Sequence, residues 1–360
     1  MTGVRLERGW RTANIYGFRQ IGVLWGKRLL YRVGKPAPLI GHIAFGVIDR
    51  GTNVLQVRPT TVCPQSCIFC SVDAGPASKR RVSEFIVEPD HLAKWVAKIA
   101  QAKNVVVEAL IDGVGEPLTY PWIVELVRKL KETGWVKTVA VETHGAPLSR
   151  QLIDRLAEAG LDRVNFSIET LDPDKARKLY GAPWYDLNRV ISLIEYLVKE
   201  TPIDLHVTPV WLPGVNDEDI PKIIKWALKI GAGKKWPPAT VQKYVVHKYG
   251  RKLKGVREVS WADFWRWLES LEQKLGVKLR YTMEEWGMRY APQIEPPVRV
   301  GEVVRLQVVA RGWLRGEAIG VLLKHNWLAT IAPAKHLELG EIVKVKIVHD
   351  KDGILLGRPV

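Results

Sequence analysis

The three cysteines of this 360-residue chain all lie within eight residues, and their spacing is Cys63-x3-Cys67-x2-Cys70. A short loop with this spacing can turn three thiolates toward one point, as an iron–sulfur cluster requires. Three thiolates hold three irons of a 4Fe–4S cluster, and the chain has no fourth cysteine for the remaining iron. A metal with an open coordination position is typical of catalytic sites. The sequence therefore predicts a catalytic cluster held by Cys63, Cys67 and Cys70.

Two other uses of these cysteines are open from the residues alone. A structural zinc knot needs a fourth ligand nearby, and the next histidine downstream, His91, is too distant for a compact knuckle. A disulfide with one leftover thiol is typical of secreted chains, and the first residues show no secretory signal pattern. We therefore expect an iron–sulfur cluster in a reducing compartment.

The charge of the chain favours an anionic partner, since the formal net charge is +16 and the pI about 9.7. Three segments carry the excess: 1–50 (nine basic, two acidic residues, +7), 234–254 (seven basic, none acidic, +7) and 296–360 (ten basic, six acidic, +4). A solvated face usually mixes both signs, so these segments indicate a polyanion such as RNA. No apolar run approaches the ~18 residues of a membrane span, so we expect a cytoplasmic protein with no membrane partner.

Strand and helix patterns alternate from residue 52 onward. The predicted strands are 53–58, 105–111, 137–143, 163–168, 204–211 and 239–246, and 278–281 could close the sheet. The predicted helices are 90–102, 121–133, 149–159, 172–180, 188–200, 217–230 and 260–275. This alternation predicts a parallel sheet with helices outside and an active site at the carboxyl ends of the strands.

The segment Asp112-Gly113-Val114-Gly115-Glu116-Pro117 follows the second predicted strand. Together with the cysteine spacing and the aromatic Phe69, it resembles the radical S-adenosylmethionine (SAM) superfamily. The resemblance implies an α/β fold with a partial (β/α)6 TIM-like radical SAM barrel over 51–292. It also implies a 4Fe–4S cluster whose open iron binds SAM, and reductive cleavage of SAM to a 5′-deoxyadenosyl radical.

Further strand ends resemble motifs of this superfamily: 143–145 after the third strand, 165–172 on the fourth and 212–217 after the fifth. By resemblance, Gly115 and Glu116 hold the amino group of SAM, Ser167 contacts its carboxylate or ribose, and Glu169 contacts its ribose. The full set of implied cofactor contacts is Phe69, Gly115, Glu116, Thr143, Ser167, Glu169, Leu212 and Pro213. For the fourth strand, a purely structural hydrogen-bond network is the alternative.

Two residues on predicted strands are candidates for substrate contact beside the catalytic Cys63, Cys67 and Cys70. His206 shares a strand face with Thr208, and Asp112 shares one with Glu108. A histidine inside a strand is as readily structural as substrate-binding, so both roles of His206 are open.

After a Pro-rich linker at 294–297, short strands separated by glycines predict a small antiparallel barrel. The segments 300–306 and 339–346 resemble a TRAM domain, an OB-like RNA-binding module, which we place at 298–360. Any small all-β barrel, such as a dimerisation module, is the alternative. The basic N-terminal extension, 1–50, either contributes arginines and aromatic residues to RNA binding or covers the bottom of the barrel.

These features predict a radical SAM enzyme of archaeal type that modifies a nucleotide in structured RNA, with tRNA as the expected RNA. Its partners would include a one-electron reductant such as a ferredoxin, and we expect a monomer. RNA contacts are expected from Lys243, Tyr244, Lys248, Arg251, Arg305, Arg311, Lys324 and Lys346. Removal of 296–360 is expected to weaken RNA binding and to leave RNA-independent SAM cleavage unchanged. The alternative is a radical SAM enzyme acting on a small molecule or peptide, with the terminal barrel used for assembly.

The small number of cysteines also excludes reaction types. With all three on the cluster, none remains within this chain to carry a methyl group or to hold a second, sulfur-donating cluster.

Overall fold

The computed structural model describes residues 14–360, which divide into two compact units. The first unit contains 14–62, 78–137 and 290–360, and the second contains 63–77 and 138–289. The segments 1–50, 51–292 and 298–360 stay predictions as functional domains. Residues 1–13 of the N-terminal extension, which include Arg5, Arg8 and Arg11, lie outside the described residues.

The first unit begins with elements that the sequence analysis did not predict. Its strands before the terminal barrel are β1 (Phe18–Leu24), β2 (Arg28–Val33), β3 (Gly46–Asp49), β4 (Val54–Arg58), β5 (Ser83–Val87) and β6 (Val107–Ile111). Its helices are α1 (Pro89–Lys103) and α2 (Ile123–Glu132). Strands β1 and β2 form a hairpin, β2 pairs in parallel with β5, and β4 pairs in parallel with β6. The described part of the N-terminal extension thus contributes β1 and β2 to a sheet with β5, and it contributes β3, which pairs antiparallel with β4.

The second unit continues the alternation of strands and helices. Its elements are β7 (Val136–Thr143), α3 (Arg150–Glu158), β8 (Arg163–Phe166), α4 (Pro173–Leu179), α5 (Leu187–Glu200), β9 (Asp204–Val207), β10 (Val210–Trp211), α6 (Asp219–Ile230), β11 (Gln242–Lys243) and α7 (Trp261–Leu275). β7, β8 and β9 are parallel neighbours, and so are β10 and β11. The helix ends follow the sequence: Ser149 and Ser260 cap α3 and α7, and Gly231, with a φ of 88°, ends α6. The predicted α/β fold with a radical SAM barrel is confirmed.

Two strand predictions were wrong in extent. The expected strand at 239–246 is only two residues long, and no strand forms at 278–281. The backbone N–H groups of Leu279 and Arg280 instead donate to the carboxylate of Glu272, at 2.6 and 2.8 Å. A side chain therefore takes the place of a neighbouring strand.

The C-terminal segment folds into a closed five-stranded barrel, as predicted for a small all-β module. Its strands are β12 (Val303–Arg311), β13 (Ala318–Leu322), β14 (Trp327–Ile331), β15 (Ile342–His349) and β16 (Leu356–Pro359), in the order β12-β13-β14-β16-β15. The barrel shares the first unit with the N-terminal segment. The N–H of Val82 donates to the carbonyl of Trp313 at 3.0 Å, and that of Leu328 to Ile40 at 2.9 Å.

Candidate active site

The cysteine loop is held by the end of α4. Cys63 and Cys67 are buried, and Cys70 is partly exposed. The N–H groups of Ser66 and Ile68 donate to the carbonyls of Tyr180 and Leu179, both at 2.9 Å. A Cβ at Gly181 would lie 2.4 Å from the Ser66 carbonyl oxygen, so only glycine allows this approach. The end of the fourth helix therefore fixes the backbone on both sides of Cys67.

The thiols of the loop influence one another. Burial raises the pKa of the Cys67 thiol well above its ordinary value, and the neighbouring Cys63 and Cys70 raise it further. Among residues 14–360, no three His, Cys, Asp or Glu side chains converge as ligands of one metal ion. In a 4Fe–4S cluster each thiolate binds a different iron, so convergence on one ion is not required.

Arg251 closes the other side of the loop. Its guanidinium donates to the carbonyls of Cys67, at 2.8 Å, and Ala74, and it pairs with the Asp73 carboxylate at 2.9 Å. Its backbone N–H donates to the Cys70 carbonyl at 2.8 Å. The positive charge also opposes the rise in the pKa of Cys67. The expected RNA contact of Arg251 is therefore corrected, because its side chain is committed to the cysteine loop.

The ends of β7 and β8 bring two of the expected cofactor residues, Thr143 and Ser167, close together. The N–H of Ser167 donates to the carbonyl of Thr143 at 2.9 Å, and the Thr143 hydroxyl accepts from Gly145 at 2.8 Å. His144 Nδ1 donates to the Ser167 carbonyl at 3.1 Å. Burial lowers the pKa of His144 to about 4, so this ring is neutral near pH 7.

Glu169 is fully buried and only partly satisfied. Its Oε1 accepts from the N–H of Val210 at 3.4 Å, whereas Oε2 has no hydrogen-bond partner among the described residues. Burial raises the pKa of this carboxyl to about 7. The Tyr180 hydroxyl accepts from the Glu169 N–H at 3.2 Å, and the neutral His144 lies 4.0 Å from Oε2. An unsatisfied buried carboxylate oxygen can accept a hydrogen bond from a bound ligand.

The turn after β10 is pinned to the same strand end. Asn216 donates through its side-chain nitrogen to the carbonyls of Glu169 and Val210, at 3.1 and 2.9 Å. Its side-chain oxygen accepts from the N–H of Leu212 at 2.8 Å. Leu212 and Pro213, two of the expected cofactor contacts, are thereby fixed relative to Glu169.

In the first unit, the glycine-rich segment packs against the residues just before Cys63. A Cβ at Gly115 would lie 2.5 Å from the Val62 carbonyl oxygen, and the Glu116 N–H donates to that oxygen at 2.9 Å. The buried Glu116 carboxylate accepts from the Leu118 N–H at 3.1 Å. Asp112 is buried beneath this segment and is held by Arg58 at 3.1 Å.

His206 takes a structural place. It is 1% exposed, and its two ring nitrogens lie 2.6 Å from the Pro237 carbonyl and 2.9 Å from the Thr240 hydroxyl. Burial lowers the pKa of His206 to about 3. With both nitrogens engaged and the side chain buried, neither ring nitrogen is left to bind a substrate, and the geometry favours the structural alternative.

Some of the residues expected to bind RNA are buried, and others are exposed. Lys243 is buried, pairs with Glu258 at 2.6 Å, and lies over the Trp261 ring, and Tyr244 is 3% exposed. These two cannot reach an external phosphate or base, which corrects the prediction for them. The exposed members of the set are Lys248, Arg305, Arg311, Lys324 and Lys346.

Sequence reasoning missed two residues of the site. The Tyr180 hydroxyl accepts a hydrogen bond from the Glu169 N–H, and the Tyr180 carbonyl accepts one from the Ser66 N–H. Tyr180 therefore connects the cysteine loop to the end of β8. Gln65, inside the cysteine loop, is fully buried, and neither polar atom of its amide has a partner among the described residues. Neither residue has a sequence signal beyond its position beside a motif.

The site fits a 4Fe–4S cluster with SAM. Three neighbouring thiols supply the donor set, and the unpaired amide of Gln65 and Oε2 of Glu169 offer buried polar groups to a ligand.

Comparisons with known proteins agree with this chemistry. The model of the Radical SAM superfamily matches residues 57–227. An uncharacterized protein of Methanocaldococcus jannaschii is 35% identical over 353 residues, covering 93% of this chain and 81% of the relative. A GTP 3′,8-cyclase of Chlorobaculum tepidum is 30% identical over 176 residues, covering 49% of this chain and 50% of the cyclase. The chain thus spans about half the length of the curated cyclases it matches.

Solved structures show a weaker likeness. The Streptococcus suis protein SuiB, solved with bound S-adenosylmethionine, is 21% identical at a TM-score of 0.47, covering 64% of this chain and 51% of SuiB.

Within residues 14–360, no helix has the length and apolar character needed to cross a membrane.

Proposed function

The chain belongs to the radical SAM superfamily, and on that premise we propose that it modifies a nucleotide in structured RNA, with tRNA as the expected substrate class. Its cofactors are a 4Fe–4S cluster and S-adenosylmethionine. When bound and reduced, they supply a 5′-deoxyadenosyl radical that can abstract a hydrogen atom from a substrate.

In this proposal the chain's own residues hold and orient the cofactors. Cys63, Cys67 and Cys70 bind the cluster, since they are neighbouring thiols in one fixed loop. Gly115 and Glu116 bind the amino group of SAM, which the rigid contact of their segment with Val62 supports.

Three further strand-end positions complete the proposed SAM site. Ser167 binds the carboxylate or ribose, and Glu169 binds the ribose, where its Oε2 can accept a hydrogen bond from a hydroxyl group. Leu212 and Pro213 lie beside the adenine, and Thr143 supports the loop that follows β7. The buried side chains exclude water from this strand end.

The observation that carries the RNA substrate is a basic face on the terminal barrel. Arg305 on β12 lies directly across from Lys344 on the neighbouring strand β15, and Lys346 on β15 lies directly across from Arg358 on β16. All four side chains are exposed, and no ion pair involves them among residues 14–360. Four uncompensated cations on three adjacent strands favour contact with a phosphate backbone.

A groove of about 780 Å³ extends this basic face. It is lined by Pro333, Ala334, Lys335, His336, Leu337, Arg358 and Pro359. Apolar walls with cations at the rim suit an unpaired base whose phosphate remains at the surface. Arg311, whose guanidinium donates to the carbonyl of the groove residue Leu337 at 3.5 Å, and the exposed Lys324 are further proposed contacts.

A purine nucleotide as the whole substrate is the second candidate. It is favoured by 30–32% identity to GTP 3′,8-cyclases over about half of this chain. The basic barrel face would then be left without a role in catalysis.

The test uses the full chain with its cluster reconstituted under anaerobic conditions. Incubation with SAM, reductant and a folded tRNA should form 5′-deoxyadenosine and a nucleoside of altered mass, detected by mass spectrometry of the digested RNA. A Cys67→Ala variant should form neither product. Formation of 5′-deoxyadenosine with GTP as the only added substrate, and none stimulated by RNA, would establish the second candidate instead.

RNA binding is tested separately with Lys344→Glu/Lys346→Glu. Each phosphate that the protein no longer binds should reduce the slope of log binding constant against log salt by about 0.7 to 0.9, so two should reduce it by roughly 1.5. The matched control is Lys98→Glu/Lys222→Glu, which changes charge by the same amount on two core helices. Equal salt slopes for the two variants would remove the barrel face from the RNA-binding site.

A further inference from the structure

We infer that the exposed surface over the cysteine loop, formed by Ile68, Lys248, Tyr249 and Lys252, is the docking site of an acidic one-electron carrier protein. The inference rests on the proposed role of Cys67 and Cys70 as cluster ligands and is independent of the RNA substrate. One electron would pass per encounter, oxidising the carrier by one electron and reducing the cluster by one.

The first support is the short route from this surface to two cluster ligands. The N–H of Arg251 donates to the Cys70 carbonyl at 2.8 Å, and its guanidinium reaches the Cys67 carbonyl at 2.8 Å. Gly250 lies so close that a Cβ there would be 2.7 Å from the Ser71 carbonyl oxygen. The segment 248–252 is therefore the outer layer over the cysteine loop. Electron transfer weakens steeply with distance, so a donor has most to gain by binding here.

The second support is the character of the exposed side chains. Tyr249 is 45% exposed and Ile68, within the cysteine loop itself, is 37% exposed. Lys248 and Lys252 flank Tyr249 and are exposed, and no ion pair involves either lysine among residues 14–360. A small apolar centre with a cationic rim is the expected complement of an acidic protein surface.

The third support is that nearby acids do not neutralise this surface. Asp73 is buried against Arg251, and Glu258 is paired with Lys243. The Asp73 carboxylate is thus buried, and the exposed Glu258 carboxylate is neutralised by Lys243, while Lys248 and Lys252 face solvent. Long-range attraction of an acidic partner raises the association rate and falls with salt.

RNA is the competing occupant, since the charge pattern of the sequence predicts that Lys248 binds it. The residues that would have made this an extended RNA site, Lys243, Tyr244 and Arg251, are engaged internally. Among the exposed cations of the segment, Lys248 and Lys252 are those flanking Arg251, which contacts the cysteine loop directly, and this position suits a small carrier better than a nucleic acid backbone.

The experiment compares Lys248→Glu/Lys252→Glu with the barrel variant Lys344→Glu/Lys346→Glu, both in the full chain. Affinity for an oxidised flavodoxin and for an oxidised ferredoxin of low pI is measured by calorimetry at several salt concentrations. The rate of cluster reduction by each carrier is then followed by absorbance, with dithionite as a donor that needs no docking surface.

We expect the first variant to lose at least tenfold in carrier affinity and reduction rate while dithionite reduces its cluster normally. The barrel variant should keep the carrier affinity and the rate of cluster reduction of the unaltered chain. Normal reduction by dithionite also shows that the first variant is folded with an intact cluster. Unchanged carrier affinity in Lys248→Glu/Lys252→Glu would overturn the inference, and loss of RNA binding alone would assign the patch to RNA.

If the proposed RNA substrate is wrong, Lys248→Glu/Lys252→Glu still loses carrier affinity and Lys344→Glu/Lys346→Glu still keeps it. If the docking inference is wrong, the barrel variant still loses RNA binding. The two failures are therefore distinguishable.

Discussion

At the scale of single residues, Arg251 shows how little a charge pattern says about the direction of a side chain. It belongs to the segment 234–254, which has seven basic residues and no acid. Its guanidinium nevertheless turns inward, to Asp73 and to the carbonyls of Cys67 and Ala74. A planar group with several donors can satisfy three acceptors at once, which suits arginine better than lysine.

Replacing Arg251 should loosen the cysteine loop. In Arg251→Met the Cys67 carbonyl and the Asp73 carboxylate lose the guanidinium donor. Arg251→Lys keeps the positive charge but lacks the planar guanidinium that donates to several acceptors at once. We expect iron retained after anaerobic gel filtration to fall severalfold in Arg251→Met and less in Arg251→Lys. Hydrogen exchange of residues 67–74 in the cluster-free protein should rise in the same order.

The matched control for this change is Arg257→Met, because Arg257 is an exposed arginine of the same loop region. It should retain iron and exchange protection as the unaltered chain does. If Arg251→Met and Arg257→Met behave alike, Arg251 has no part in holding the loop.

The cysteines and the glycine-rich segment could be predicted because their chemistry is tied to spacing along the chain. The internal roles of Lys243 and Tyr180 could not. Lys243 depends on Glu258, and Tyr180 on the Glu169 backbone, and both partners are defined only by packing. A strand histidine such as His206 is ambiguous for the same reason, since both of its hydrogen-bond partners come from a separate loop.

At the scale of elements, a buried ion pair fixes the linker that precedes the barrel. Lys103, at the end of α1, donates to the Asp49 carboxylate at 2.6 Å, and both side chains are almost fully buried. The other carboxylate oxygen accepts from the N–H of Ile294 at 2.8 Å. One carboxylate therefore joins β3, α1 and the linker.

Asp49→Asn should be strongly destabilising. The change leaves the Lys103 ammonium buried without a countercharge, which typically costs about 3–5 kcal/mol. The free energy of unfolding, measured by denaturant titration of the apo-protein, checks this value. Asp352→Asn is the control, because its pair with the half-exposed Arg50 should contribute at most about 1 kcal/mol. Similar losses in the two variants would contradict a special role for the buried pair.

The alternation of strands and helices could be predicted from the sequence because apolar periodicity and capping residues are local. The N-terminal sheet could not, because β2 pairs with β5 some fifty residues later, and nothing local in 28–33 selects that partner. The short β16 escaped prediction because its four residues include Gly357 and Pro359, which weaken a strand pattern.

At the scale of the whole molecule, the terminal barrel is joined to the first half of the core instead of forming a separate unit. Arg81 makes the connection: its guanidinium lies 4.7 Å from the centre of the Trp313 ring and donates to the carbonyls of Thr61, at 2.9 Å, and Val114. Thr61 lies two residues before Cys63, and Val114 lies within the glycine-rich segment. The barrel therefore supports the backbone that we propose to hold SAM.

This connection changes the outcome expected when the barrel is removed. The sequence alone predicts that removal of 296–360 leaves RNA-independent SAM cleavage unchanged. In the structure that truncation removes the Trp313 ring from Arg81 and the carbonyl that accepts the Val82 N–H. SAM cleavage and SAM affinity should instead fall together with RNA binding.

The single substitution Trp313→Leu isolates the effect in a full-length chain. A buried cation–aromatic contact is worth up to about 2 kcal/mol, so we expect the dissociation constant for SAM to rise roughly tenfold, measured by calorimetry on reconstituted protein. The barrel-face variant Lys344→Glu/Lys346→Glu should bind SAM normally, because its cations lie on the outer surface. Iron content and the thermal unfolding midpoint verify that Trp313→Leu is folded. Unchanged SAM affinity in folded Trp313→Leu would mean that the barrel and the SAM loop are neighbours without energetic coupling.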